Sequence, residues 1–304
     1  MAAHRAATET RGGRNMSDEK FGFIGLGNMG QPMARNIHQS GHELLVHDIA
    51  GTADRAPQGT MTAQSNSEVA RRCTVIALSL PSLEANQAVV AEMAEAGKQG
   101  SIVVDTCTIG PTAAAANAER LAAAGIAYVD APVSGLKSRA EEGSLASMVA
   151  GGSDAIERAK PLIEGYSRTM FVVGTEAGQG QRMKVVNNAI YLSSLVTVSE
   201  ALSFGENGGL DLEKMLEVIN ASSGQSLTTG QVFPTYMLTD PPGFSGADAH
   251  ILRKDLSLFV DGAKQEGTPG AAITTAYETT VAFSQENPKQ DKAEIYKFVR
   301  DRLK

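Results

Sequence analysis

Apolar residues gather in short runs over the first half of the chain, near 21–24 and 44–47 and then at 74–80, 101–106 and 127–131. Stretches of helical spacing separate them, near 67–72, 82–96 and 111–124. Strands alternating with helices of that length predict a parallel, doubly wound sheet. Two further strands, at 145–150 and 170–173 around a helix near 154–165, complete the sheet by about residue 177. The rhythm then changes. Gly178, Gln179 and Gly180 open a proline-free helical pattern that runs to about Asn207. A helix of that length spans about 45 Å, enough to join two domains. Beyond it only helices are expected, near 211–221, 249–265, 271–287 and 293–303, with Gly/Pro-rich breaks at 240–246 and 267–270. The pattern therefore predicts an α/β chain: a tail at 1–16, a Rossmann-type doubly wound sheet at 17–178, and an all-helical domain at 179–304, joined by the long helix.

The densest chemical signal is FGFIGLGNMGQPMARNIHQSGHELLVHD, residues 21–48. An apolar run enters Gly25-x-Gly27-x-x-Gly30, a helical pattern follows, and a second run ends in Asp48. That is the context of a dinucleotide-binding βαβ unit. Gly25 permits the tight turn, Gly27 lets backbone approach a pyrophosphate, and Gly30 allows close helix packing, with Leu26, Asn28 and Met29 filling the turn. Pro32 fits only a first helical turn, so the helix is expected to begin near Asn28. Asp48 is placed to accept hydrogen bonds from ribose hydroxyls and to repel a 2′-phosphate, and Ile49 follows it rather than an arginine. NAD is expected rather than NADP. The competing readings are a glycine loop that serves packing alone and an aspartate that only ends a strand.

Composition narrows the field. The 304 residues carry a formal charge of −7, which argues against a general nucleic-acid or anionic-membrane binder. The longest apolar runs are strand-sized, so no membrane span is expected. Cys73 and Cys107 lack C-x-x-C spacing and no metal site is nominated, so a reducing cytoplasm is the simpler setting. Residues 1–15 have no apolar core of signal-peptide length; a disordered tail is expected, with Met16 as an alternative start to Met1.

In an open α/β sheet, ligands lie beyond the carboxyl ends of the strands. Three loops stand there: Leu80-Pro81, Cys107-Thr108 and Ser134-Gly135. Each offers small side chains and backbone N–H groups, and each is equally compatible with turn chemistry. Lys184 and Asn188 are four apart at the start of the long helix and share a face. On the residues alone this is either a solvated surface lysine or a buried amine beside a carboxamide. Burial or a second cation would lower the amine's pKa toward neutrality and fit it for proton exchange.

Five segments, GLGNMGQPMARNI, VVDTCTIGP, DAPVSGLKSRAEEGSLASMVAGG, GQGQRMKVVNNAI and RKDLSLF, occur in this order. Together they resemble the signatures of the β-hydroxyacid dehydrogenases, typified by 3-hydroxyisobutyrate dehydrogenase, over about residues 21–304. The resemblance implies that Gly25, Gly27 and Gly30 form the pyrophosphate loop and that Leu80, Pro81 and Thr108 contact the cofactor. Cys107 stands where the family usually has serine. It further implies that Ser134 and Gly135 hold the substrate carboxylate, with Leu136 replacing a common second glycine. Lys184 matches the catalytic lysine, Asn188 the substrate-orienting asparagine, and Lys254 with Asp255 a lysine–aspartate pair beside the cofactor.

The reaction so implied is hydride transfer between a β-hydroxy acid and nicotinamide, with Lys184 trading the hydroxyl proton and no metal required. The alternatives are a glyoxylate or succinic semialdehyde reductase, a dehydrogenase for a hydroxy acid or diol with a second anionic group, and a cofactor-binding regulatory protein without turnover. Lysine at 184 separates the chain from the related imine reductases. The second domain is expected to bind substrate and to bury against a partner, as a homodimer or homotetramer. Lys137, Arg139 and Arg253 are extra cations near these motifs, suited either to a second anionic group or to solvated pairs with Glu141 and Glu142. His250 shares the face of Lys254 and lines the pocket or the helix surface.

Overall fold

The computed structural model describes residues 19–239 and 242–302. The expected tail at 1–16 and the choice between Met1 and Met16 lie outside these residues. Among them, nine strands form one sheet: β1 (Phe21–Ile24), β2 (Leu44–His47), β3 (Met61–Thr62), β4 (Val75–Leu78), β5 (Ile102–Asp105), β6 (Ala127–Asp130), β7 (Val133–Ser134), β8 (Leu145–Ala150) and β9 (Ser167–Gly174). The spatial order is β3-β2-β1-β4-β5-β6-β8-β7, with β9 also paired to β8. From β3 to β6 every pairing is parallel. The chain leaves β1 in one direction for β2 and β3 and returns to β4 on its other side, which creates a switch point beside the end of β1.

Period-two alternation sorts the strand residues into two layers. Phe21, Phe23, Val75, Ala77, Ile102 and Val104 pack with α1 (Gly30–Gln39) and α7 (Ser153–Glu164), while Ile24, Ile76, Leu78 and Val103 pack with α3 (Asn66–Arg72), α4 (Leu83–Ala96) and α5 (Pro111–Ala123). Strands buried on both faces read as continuous apolar runs, which is why they were visible in the sequence. Each large apolar side chain so buried contributes about 1.5–3 kcal/mol.

The sheet departs from an all-parallel reading at its far edge. β8 runs antiparallel to β6 and β7, because β7 is a two-residue return of the chain immediately after β6. The short α2 (Thr52–Arg55) and α6 (Lys137–Glu141), like β3 and β7, are too brief to leave a periodic signal. α1 begins at Gly30 rather than near Asn28: Asn28 and Met29 belong to the turn, and Pro32 still falls within the first helical turn.

α8 (Gln179–Asn207) is a 29-residue helix about 44 Å long. Around it pack α9 (Leu212–Asn220), α10 (Ala249–Glu266), α11 (Ala271–Glu286) and α12 (Ile295–Arg302), with a core that includes Leu195, Leu202, Phe233, Leu256, Phe283 and Tyr296. Two features of this half were not expected. Residues Thr228–Met237 form a π-helix containing Pro234, and the last helix starts as a 3₁₀ turn, Lys292–Glu294, capped by Asp291. No helix among the described residues is long and apolar enough to cross a membrane.

Candidate active site

The turn after β1 is shaped by contacts on its inner side. Gly25 has φ +95°, and a Cβ there would lie 2.1 Å from the Ser79 carbonyl oxygen. A Cβ on Gly30 would lie 1.9 Å from the carbonyl oxygen of Gly25. Gly27 is the opposite case, since a Cβ there would meet nothing within 4 Å. The loop is therefore closed against the sheet and open outward, onto a cavity of about 380 Å³ lined by Leu26, Gly27, Asn28, Gln31, Pro32, Arg55, Lys137 and Glu141. The start of α1 has no side-chain cap. A bare helix start beside an open glycine fits the diphosphate of a dinucleotide.

Asp48 stands next to this loop. Its Oδ2 accepts a hydrogen bond from Leu26 N at 2.6 Å and its Oδ1 one from Ala50 N at 2.7 Å. Arg55 Nη1, arriving on α2, is 3.9 Å from Asp48 Oδ2. Position 49 holds an Ile that is 94% exposed; the cation near Asp48 comes instead from six residues further on.

Leu80, Pro81 and Thr108 sit at the carboxyl ends of β4 and β5, next to the switch point, and line neither cavity described here. The Cys107 thiol is turned inward, accepting from Leu80 N at 3.1 Å. Lys254 Nζ donates to the Thr108 carbonyl at 2.7 Å, so it ties α10 to the β5 loop.

A second cavity, of about 430 Å³, opens between the β7–α6 segment, α8, the π-helix and α10. It brings together all five residues expected around the substrate: Ser134, Gly135, Leu136, Lys184 and Asn188. Leu136 has φ −77°, an ordinary extended backbone, so replacement of a glycine there causes no strain and adds an isobutyl wall. Asn188 Nδ2 donates to Asp255 Oδ2 at 2.8 Å, and Asn187 Nδ2 donates to Asn188 Oδ1 at 3.1 Å. One hydrogen of the Asn188 amide nitrogen is left over.

Lys184 is 8% exposed. Burial pushes its pKa down to about 8; Asp255 opposes that shift, and Lys254 and Lys292 assist it. Lys254 Nζ lies 2.9 Å from Asp255 Oδ1, yet off the line of a hydrogen bond, so this buried oxygen has no donor.

Several residues that matter here were not singled out in the sequence. Gln181 uses every hydrogen-bonding position of its amide: Nε2 donates to Cys107 O and Asp130 Oδ1, both at 2.9 Å, and Oε1 accepts from Ile109 N at 2.9 Å and Gly110 N at 3.1 Å. Asp130 Oδ2 accepts from the backbone N–H groups of Gly178 and Gln181, and burial pushes its carboxyl up to about 6. This clamp fixes the start of α8 to the ends of β5 and β6, and Lys184 lies one turn further on. Its sequence signal was a glutamine three before Lys184, on the same face. Tyr191, Gln231 and Lys292 also line the cavity.

Of the extra cations, Arg139 reaches the second cavity, Lys137 pairs with Glu141 at 3.4 Å beside the first, and Arg253 is exposed. His250 is exposed on its helix and lines neither cavity.

Residues 20–174 match the family model described as the NAD binding domain of 6-phosphogluconate dehydrogenase. Residues 178–299 match that described as NAD-binding of NADP-dependent 3-hydroxyisobutyrate dehydrogenase. The chain is 33% identical to 2-(hydroxymethyl)glutarate dehydrogenase of Eubacterium barkeri, over 82% of this chain and 84% of that protein. It is 32% identical to 3-hydroxyisobutyrate dehydrogenase of Pseudomonas aeruginosa, over 91% of this chain and 97% of that protein. The solved Mycobacterium tuberculosis 3-hydroxyisobutyrate dehydrogenase with L-serine superposes with a TM-score of 0.82 at 25% identity, covering 93% of this chain and 99% of that one. The chain belongs to the β-hydroxyacid dehydrogenase family, the nicotinamide-dependent oxidoreductases of hydroxy acids.

Proposed function

We propose that this protein oxidises a small β-hydroxy acid of the 3-hydroxyisobutyrate type, with NAD as cofactor and Lys184 as general acid and base. The observation that carries this reading is a lysine 8% exposed, lowered to about 8, in a cavity shared with Asn188 and the Ser134–Gly135 loop. Relatives named for 3-hydroxyisobutyrate support the substrate class.

The bound nicotinamide supplies the hydride acceptor for oxidation and the donor for reduction. The protein's part is positional and acid–base. Backbone N–H groups at 134–136 and the Ser134 hydroxyl hold the substrate carboxylate, and the free hydrogen of Asn188 Nδ2 orients the hydroxyl. Neutral Lys184 accepts the hydroxyl proton during oxidation; as ammonium it returns a proton to the carbonyl oxygen during reduction. Gly25, Gly27, Gly30 and the intervening Leu26, Asn28 and Met29 cradle the diphosphate, while Leu80, Pro81 and Thr108 bound the nicotinamide end. Lys254 acts through Thr108, to whose carbonyl it donates.

Asp48 favours NAD because its carboxylate is pinned by two backbone N–H groups, where it repels a 2′-phosphate. Arg55 favours NADP, but it is half-exposed and 3.9 Å away. The division of labour we infer is cofactor binding by 17–178 and substrate binding with oligomerisation by 179–304. Met183, Val186 and Ile190 on α8 and Phe171 and Val172 on β9 are exposed, which supports a homodimer or homotetramer. Two buried free thiols suit a cytoplasmic setting.

Initial rates of NADH formation on 3-hydroxyisobutyrate test the reading, with Lys184→Ala alongside and NAD binding measured in both. Undiminished turnover in the variant would overturn it.

A further inference from the structure

The second cavity holds a second buried amine, which acts on Lys184 through its charge and to which the reaction above gives no contact with substrate. Lys292 is 5% exposed and lines the cavity. Among the described residues its Nζ makes no hydrogen bond and no ion pair, and it stands over the Tyr191 ring, 5.6 Å from the centroid. The adjacent Asp291 and Asp255 act on it through charge, but neither gives it a hydrogen bond. Asp291 Oδ1 accepts from Ser245 Oγ at 2.6 Å and Ala293 N at 2.8 Å, and Oδ2 accepts from Ser245 N at 3.0 Å, so that carboxylate is spent on the 3₁₀ turn and the 245 loop. Tyr191 lines the same cavity, and its buried hydroxyl has no hydrogen-bond partner.

A phenolic hydroxyl buried without a partner, beside an amine to which the protein gives no acceptor, is costly unless something in the cavity supplies one. The complement is an anionic oxygen group. The first carboxylate of a hydroxy acid is already taken by the 134–136 loop and its hydroxyl by Lys184 and Asn188. Arg139, at the exposed rim of the same cavity, adds positive charge, and the one carboxylate in the wall, Asp255, has Lys254 at 2.9 Å. A cavity of about 430 Å³ also encloses more than a four-carbon acid.

We propose that Lys292 and Tyr191 form a subsite for a second anionic group, so that the preferred substrate is a β-hydroxy acid bearing a further carboxylate or sulfonate. The inference rests on the second cavity being the hydroxy-acid site.

The test separates the two claims by measuring binding without turnover. Glutarate, 4-sulfobutyrate and butyrate are titrated calorimetrically into the intact protein, its Lys292→Met variant and its Tyr191→Phe variant. Wild type is expected to bind glutarate or 4-sulfobutyrate at least about tenfold tighter than butyrate, a gap that closes in Lys292→Met and narrows about threefold in Tyr191→Phe. The tighter of the two dianions identifies carboxylate or sulfonate as the favoured group. Equal affinity for all three in wild type, or a gap that survives Lys292→Met, overturns the subsite. A cooperative thermal transition in Lys292→Met within a few degrees of wild type establishes that the variant folds. In kinetics, the kcat/KM ratio of 2-(hydroxymethyl)glutarate to 3-hydroxyisobutyrate falls about tenfold or more in Lys292→Met. An equal loss on both substrates would overturn the subsite and leave Lys292 only its effect on Lys184. Dianion binding that depends on Lys292, with no turnover of any hydroxy acid, would uphold the subsite and overturn the proposed reaction.

Discussion

The two cavities are built in opposite ways. The first is made by backbone: glycines that must lie close to carbonyl oxygens, and a helix that starts without a cap. The second is made by side chains: Lys184 and Asn188 from α8, Asp255 from α10 and Lys292 from the 3₁₀ turn, all buried and all polar. A backbone site fixes where a ligand lies but does no proton chemistry. A buried side-chain site can do that chemistry, and it weakens the fold by the desolvation of its charges.

The sharpest way to break this contrast is at Lys184. Lys184→Met is expected to lower kcat by about 10³-fold with NAD affinity intact, as measured by steady-state kinetics and fluorescence titration. The same variant should stabilise the protein. The folded pKa of about 8 lies below the ordinary lysine value of 10.5, so the folded state is burdened at pH below about 8 and relieved as pH rises toward 10.5. That burden is on the order of 3 kcal/mol. Thermal melts at pH 7 should therefore favour the variant, with the advantage shrinking toward pH 10. A variant less stable than wild type at pH 7 would mean that the lysine is not a strained functional group.

In the first cavity the prediction is reversed. Gly25→Ala introduces a Cβ 2.1 Å from Ser79 O at φ +95° and should cost roughly 2–3 kcal/mol of stability. Gly27→Ala meets no atom within 4 Å and should alter stability by less than about 0.5 kcal/mol, yet weaken NAD binding about tenfold or more. Urea titrations together with cofactor titrations read both quantities. Loss of stability in both variants would show that Gly27 is also packed rather than reserved for a ligand.

How much of each cavity could be read from the chain follows from the same contrast. The glycine loop, β1 and Asp48 belong to one local stretch, so spacing and apolar runs were enough. Lys184 and Asn188 share a helix face, which left a solvated lysine and a buried amine both open, and the family resemblance chose between them. Gln181, Tyr191 and Lys292 were missed because each owes its role to distant partners: Cys107 and Asp130 for Gln181, the remainder of the cavity wall for the other two. Arg55 was missed because α2 is too short to predict, so nothing in the pattern turns position 55 back toward Asp48. The antiparallel β8 and the π-helix were hidden for a similar reason, since neither strand direction nor helix pitch is written in a short apolar pattern.

A smaller effect sharpens the cofactor side. Asp48→Asn keeps an oxygen able to accept from Leu26 N but removes the charge that repels a 2′-phosphate, leaving Arg55 unopposed. The kcat/KM ratio of NAD to NADP is expected to fall about tenfold. An unchanged ratio would remove Asp48 from cofactor choice.

The smallest effect probes the side-chain cavity most directly, because it asks whether its charges act as a set. With Lys184 as the proposed acid and base, oxidation needs it neutral, so kcat/KM should rise with pH through about 8 and then level, while reduction, which needs the ammonium, should fall over the same range. Lys254 and Lys292 both push the amine toward neutrality, and Asp255 pulls it toward ammonium. Lys292→Met must therefore move the oxidative profile to higher pH, and Asp255→Asn must move it to lower pH. Burial is the largest cause of the lowered value and is common to all three proteins, so both displacements should be modest beside it. Opposite displacements from two residues on separate elements cannot come from a general loosening of the cavity, which would raise the pKa in both variants by admitting water. Displacements of the same sign would mean that solvent entry, rather than the arranged charges, governs the amine.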